Sequence, residues 1–177
     1  MFYMDRAFGS SYAPPMTAAN PAALHRASAL RFETTSARDV GLEALQGRVV
    51  AVFYESREQL DESDGLKREL AQMSGLEVLG IADLAAFDYA PARPVVRAFI
   101  RALCARHAGL EVWLDWKGAL REALDLPRGN HLVLVDRQGR VVLCTPTPAD
   151  QLSRARVRAR ASQLLRERDM HEGPRAA

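Results

Sequence analysis

The sequence predicts an α/β sandwich built on a mixed central sheet. Two observations carry that reading. Near-continuous apolar runs at 49–54 (VVAVFY) and 76–81 (LEVLGI) are separated and followed by segments with helical periodicity. Two shorter apolar runs, at 132–135 and 141–143, flank a polar turn that ends in glycine. Strands alternating with helices imply parallel neighbours covered on both faces, and a closing hairpin adds antiparallel ones.

Residues 1–28 are rich in Ala, Ser, Pro and Asn, lack a sustained period, and are expected to form a flexible arm. Phe2, Tyr3 and Phe8 form an aromatic group there, read as incidental rather than as a recognition segment. Residues 30–34 (LRFET) alternate as a half-buried strand does. Ser36 to Asp39 reads as a turn. Val40, Leu42 and Leu45 then lead through Gly47 into the strand at 49–54, whose β-branched and aromatic residues suit the centre of a sheet. Leu66, Leu70 and Met73 share one face of a helix predicted over 63–73, which Gly75 stops. After the strand at 76–81, residues 82–91 are expected to be a loop. Pro94 suits the first turn of a helix reaching about 107, with Val96, Phe99, Ile100 and Leu103 as its apolar stripe.

A short strand at 110–114 and a short helix at 118–124 follow. The strands at 132–135 and 141–143 are joined by Asp136-Arg137-Gln138-Gly139, a hairpin signal. Thr147-Pro148-Ala149-Asp150 reads as a capping box with proline at the first helical position. The helix it opens is predicted to reach 168, with Leu152, Val157, Ala161, Leu164 and Leu165 toward the sheet. The domain is therefore expected over 29–168, with a tail at 169–177.

The totals fit one globular domain: 177 residues, 48% hydrophobic and 26% charged. A net charge of +2 supplies no strong field for nucleic acid or a membrane surface. Cys104 and Cys144 form no motif, neither a disulfide framework nor a zinc site, and suggest a reducing compartment. No apolar run approaches the roughly 20 residues of a membrane span. The opening MFYMDRAFGSSYAPP lacks a basic stretch followed by an apolar one. No signal peptide is expected, and the expected location is cytoplasmic.

Two phrases resemble a known family. FETTSARDVGLEALQGRVVAVFY looks like the entry to the redoxin (AhpC/TSA-like) branch of thioredoxin-fold proteins, and LDWKGALREALDLPRGNHLVLVDRQGRVVL is similar to their closing half. The resemblance spans about residues 30–168 and implies a thioredoxin-like sandwich. It also implies where a site would lie. The Phe-Trp-Ala-x-Trp-Cys-x-x-Cys pattern falls on Phe53 to Asp61, so Glu58 takes the place of the nucleophilic cysteine and Asp61 that of the resolving one. Peroxiredoxins need a cysteine slightly further along, and none occurs between residues 1 and 103. The family's cis-proline position falls on about Asn130.

Disulfide exchange needs a thiolate and a second thiol. A carboxylate at the same helix start gains the same dipole stabilisation, about 0.3–1 kcal/mol, and cannot form a disulfide. The expectation is a redox-inactive thioredoxin-like domain acting as a binding module, with no catalytic residue. Tyr54, Arg57, Glu58, Asp61, Asn130 and His131 are its candidate cleft. The alternative is a thiol peroxidase or oxidoreductase using Cys144, placed at the end of the last strand and expected to be exposed.

Other candidates have plainer readings. Glu58, Asp61, Glu62 and Asp64 offer oxygen ligands but lack EF-hand spacing, and are read as helix-start residues. Cys104 is read as a small buried hydrophobe. The four histidines show no ligand spacing. Trp113 and Trp116 are read as one core and one near-surface residue. The arginines at 154, 156, 158, 160, 166 and 168 are read as a solvated border to the last helix's apolar stripe. No cofactor and no metal is expected. The expected partner is a protein or small ligand of unspecified identity, not a membrane and not nucleic acid.

Overall fold

Eight residues, Val49–Ser56, form the spine of the sheet, and seven of them are buried. The computed structural model describes residues 30–56, 63–106, 112–147 and 149–171, with the side chains of 106 and 168–171 outside that description. Seven strands are present among these: β1 (Arg31–Thr34), β2 (Asp39–Gly41), β3 (Val49–Ser56), β4 (Leu76–Asp83), β5 (Val112–Asp115), β6 (Asn130–Val135) and β7 (Val141–Thr147). Four α-helices accompany them: α1 (Asp64–Ala71), α2 (Ala92–Arg106), α3 (Ala119–Leu124) and α4 (Gln151–His171). The strand order is β2-β1-β5-β4-β3-β6-β7. β3, β4 and β5 run parallel, and the pairs β1–β2, β1–β5, β3–β6 and β6–β7 are antiparallel. The mixed α/β sandwich is therefore present as the apolar runs implied.

Side chains alternate across a strand, so each strand feeds two cores. Val50, Val52 and Tyr54 of β3 join Ile81, Trp113, Leu120 and Val133 on one face, where the rings of Phe32 and Trp113 stack 5.8 Å apart. Val49, Ala51 and Phe53 join Leu132 and Leu134 on the other, beneath Leu66 and Leu70 of α1 and Val157, Ala161 and Leu164 of α4. Each such aliphatic side chain contributes about 1.5–3 kcal/mol by leaving water. A smaller cluster of Leu84, Leu114 and Trp116 lies under Val96 and Ile100 of α2.

Several expectations are corrected. Residues 39–41 pair with β1 rather than ending a turn. The segment after β4 is not all loop: Ala85–Phe87 is a 3-10 turn. Trp113 and Trp116 are both buried, at 2% and 6% exposure. Phe99 and Leu152 lie outside the stripes assigned to them, at 46% and 60% exposure. Thr147 does not cap α4, because pairing with Asn130 keeps it in β7. The Asp150 carboxylate caps α4 instead, accepting from the Ser153 amide at 2.7 Å. The hairpin turn behaves as its residues imply: Asp136 accepts from the amides of Gln138 and Arg140, each at 2.9 Å, and Gly139 takes φ +75°.

Candidate functional site

The register of the parallel strands brings their polar tips into one row. Ser56 lies beside Asp83, and Asp83 beside Asp115. The carboxyl ends of parallel strands are where open α/β sheets place ligands. The sequence phrase VVAVFYES turns polar at this point, and so do LGIAD and VWLD.

On one face of this edge stand Tyr54, Asp83, Asp115 and His131. Tyr54 is fully buried and its hydroxyl donates to Asp115 Oδ2 at 3.3 Å. Burial, and then the negative charges of Asp115 and Asp83, push its phenol far above the usual tyrosine range. Asp115 starts α3: Oδ1 accepts from the Ala119 amide and Oδ2 from the Leu120 amide, both at 2.9 Å. The first four amides of a helix have no partner within it and need such acceptors. Asp83 accepts from the Ala85 amide at 3.2 Å and pairs with Arg121 of α3. Gly118, at φ +67°, makes the turn that lets Arg121 come back. A Cβ there would meet the Arg121 guanidinium at 2.9 Å.

His131 is paired with Tyr54 across β3 and β6. It is only 3% exposed, and its Nδ1 lies 3.1 Å from the Gly129 carbonyl. That geometry puts the proton on Nδ1, leaving Nε2 as an acceptor without a partner among the described residues. Burial lowers its pKa below the usual imidazole value, against the raising effect of the Gly129 carbonyl. Next to it, Asn130 is buried and its Oδ1 accepts from the Ser56 amide at 2.8 Å. The Asn130 amide side chain thereby closes the end of β3.

On the opposite face Glu55 is 4% exposed and takes an ion pair from Lys67 Nζ of α1 at 2.7 Å. Burial raises the Glu55 carboxyl above its usual range, and Lys67, then Ser63, pull it back. The Lys67 ammonium also sits 5.6 Å from the centre of the Phe53 ring. Beside β1 and β5 a hollow of about 220 Å³ is lined by residues including Glu33, Arg93, Asp115, Trp116 and Lys117.

Of the candidate cleft, Tyr54, Asn130 and His131 are brought together, but as buried groups rather than as an exposed patch. Arg57, Glu58, Asp61 and Glu62 lie outside the described residues. Asp64 stands in the first turn of α1, 3.4 Å from Lys67. Glu55, Asp83, Asp115 and Arg121 were missed. The one signal for Glu55, Asp83 and Asp115 is a carboxylate at the end of an apolar run, which hydrophobic patterning ignores, and Arg121 carries none.

Neither sulfur lies at the strand tips, although Cys144 stands two register positions, about 7 Å, from the Tyr54–His131 pair on the same face. Cys144 is not at the end of its strand: β7 continues to Thr147, and Cys144 pairs with Val133, which pairs with Val52. Val52 lies four residues, about 13 Å, from the Ser56 tip. Cys144 packs against the first core, and burial pushes its thiol up to about 12. The expectation of an exposed Cys144 is corrected accordingly. Cys104 lies about 18 Å along α2 from its start, near the end that leads back toward the beginning of β5. Burial raises its thiol too. Both cysteines are free. Among the described residues no three His, Cys, Asp or Glu side chains converge as metal ligands.

No family model and no curated protein matches the chain. Solved structures do. The exposed lipoprotein thioredoxin Etrx1 of Streptococcus pneumoniae superposes with a TM-score of 0.57 at 14% identity, over 76% of this chain and 98% of that one. The fold is thioredoxin-like. A secreted Mycobacterium tuberculosis disulfide oxidoreductase homologous to DsbE gives 0.54 at 16% identity, over 79% and 98%. A DsbF homologue from Corynebacterium diphtheriae gives 0.57 at 13%, over 88% and 96%. The sequence between β3 and α1 holds no cysteine.

Proposed function

We propose that this thioredoxin-like domain is redox-inactive and acts as a binding module through the carboxyl edge of β3, β4 and β5. The observation that carries the reading is the placement of sulfur. Cys144 lies within the sheet, paired with Val133, and burial raises its thiol well above the usual cysteine range, which disfavours the thiolate at pH 7. Thiolate is the species that attacks disulfides and peroxides. Carboxylates, Tyr54, Asn130 and His131 occupy the edge instead. Such a set accepts and donates hydrogen bonds without transferring electrons.

The competing reading is a Cys144-dependent oxidoreductase, favoured by the disulfide chemistry named for one structural neighbour. Insulin reduction and peroxide consumption separate the two. Wild type and Cys144→Ser are expected to give the same background rates. A wild-type rate above background that Cys144→Ser abolishes would overturn the binding-module reading.

A further inference from the structure

The two main cores of the sheet are roofed unequally. One lies beneath α1 and α4, which are eight and 21 residues long. The other, built on Val50, Val52 and Tyr54, is covered among the described residues by the six-residue α3 and the 3-10 turn Leu42–Leu45. Its rim stays partly open: Leu30, Leu124 and Leu126 pack against this core without being buried. Beside the rim lies a cavity of about 460 Å³, with Leu30, Ala119, Glu122, Ala123 and Asp125 along its described wall. That volume is within the range of sites that hold a ligand. Leu30, Ala119 and Ala123 make the wall apolar. Glu122 and Asp125 make it acidic, and both are exposed, with no ion-pair partner among the described residues.

Chain continuity says what fits. Leu30 lines the cavity and β1 begins at Arg31, so the chain enters the sheet past this opening. The 29 residues before Leu30 lie outside the described ones. Of these, 21–29 (PAALHRASA) run directly into it. The segment holds Leu24 and four alanines, the cation Arg26 with His25 beside it, and no acid. Its composition therefore complements a wall that is apolar and negative. Arg26 is four residues from Leu30, within about 14 Å of extended chain. A segment joined covalently to its site acts at an effective concentration on the order of millimolar, which a separate basic peptide would have to exceed. We propose that residues 21–29 dock in this cavity, their apolar side chains against Leu30, Ala119 and Ala123 and Arg26 against the carboxylates of Glu122 and Asp125. The docked segment completes the roof of the less covered core. The inference is independent of the carboxyl edge and of the role proposed for it.

The test uses the full chain and thermolysin, which cuts before large apolar residues. Cleavage between Ala23 and Leu24 is followed by mass spectrometry and compared with the same bond in a synthetic peptide of residues 1–29. Wild type is expected to be cut there at least about tenfold more slowly than the peptide, since a protease acts on the undocked form. The bond between Ala7 and Phe8, outside the docked segment, should be cut equally fast in both. Arg26→Glu should bring the Ala23–Leu24 rate up to that of the peptide. So should Glu122→Arg combined with Asp125→Asn, an asparagine being suited to the left-handed turn at Asp125, φ +53°. Joining the three substitutions in one chain should restore slow cleavage by reversing the pair of charges. Circular dichroism reports whether each variant folds, and Arg26→Glu decides alone if the cavity variant does not. Wild-type cleavage as fast as in the peptide would overturn the proposal, as would slow cleavage that survives Arg26→Glu. So would slow cleavage that is lost on dilution, because the occupant would then be the segment of a second copy.

Discussion

The two long helices of this protein are built in opposite senses. α4 is polar by composition, crowded with arginines, and yet it is anchored: Val157 and Ala161 are fully buried and Leu164 nearly so. α2 is apolar by composition, and none of its described side chains reaches the buried class. Val95 is 69% exposed and Phe99 46%, while Arg93 and Arg97 pair with carboxylates. The difference teaches that helix composition and helix anchoring are separate quantities. α4 lies over the β3-β6-β7 end of the sheet, where those strands supply a broad apolar floor. Three residues at i, i+4 and i+7 suffice there, and a small residue at the middle one allows close approach. The arginines at its sides have work of their own: Arg158 pairs with Glu69 at 2.7 Å and Arg154 donates to the Ala149 carbonyl at 3.0 Å. α2 lies over the shorter β5 with only the small Leu84–Leu114–Trp116 cluster beneath it.

The contrast can be broken most forcefully in α4. Leu164→Ala should cost about 2–5 kcal/mol, read as a fall in the urea midpoint, because it opens a cavity beneath the buried stripe of α4. A loss no larger than that of an exposed site would mean α4 is not the clamp described here.

A pH series probes the strand next to it. His131 lies in β6, whose Leu132 and Leu134 form part of the floor under α4. Its folded pKa is below the unfolded 6.5, so the unfolded chain binds the proton more readily between those two values. Stability from this group is complete above about 6.5 and declines as pH falls toward the folded pKa. Wild type should lose stability over that window in denaturant titrations, and His131→Phe should lose less. An unchanged slope in His131→Phe would show that the imidazole is not the sensor. Glu55 acts in the opposite sense. Its raised folded pKa means that its ionisation costs stability at neutral pH, a cost relieved as pH falls through the folded value.

The smallest effect belongs to α2. Val95→Ser should change stability by no more than about 0.5 kcal/mol, because the side chain already faces water. A loss of several kcal/mol would mean that the face is covered in the intact chain.

Much of this architecture was legible beforehand, and the reasons differ by element. β3 and β4 were readable because central strands are apolar on both faces. β2 was not, because three residues of the type Asp-Val-Gly carry no strand signal and exist as a strand only by pairing with β1. The outer tips of β3 and β4 were missed for a related reason. Glu55, Ser56 and Asp83 look like loop residues, and backbone ladders with their neighbours keep them extended. Those same tips supply most of the candidate site. Hydrophobic patterning thus located the sheet and passed over the chemistry at its edge.

The residue order alone leaves the segment after β3 without a cysteine, since no folding can supply a sulfur that the chain does not carry there. It also set the apolar strands, because side-chain hydrophobicity travels with the residue. Packing made the remaining choices: that Cys144 lies within the sheet, that both tryptophans are covered, and that Val95 is not. Those depend on which neighbours arrive from distant parts of the chain, and burial is a property of the neighbours as much as of the residue.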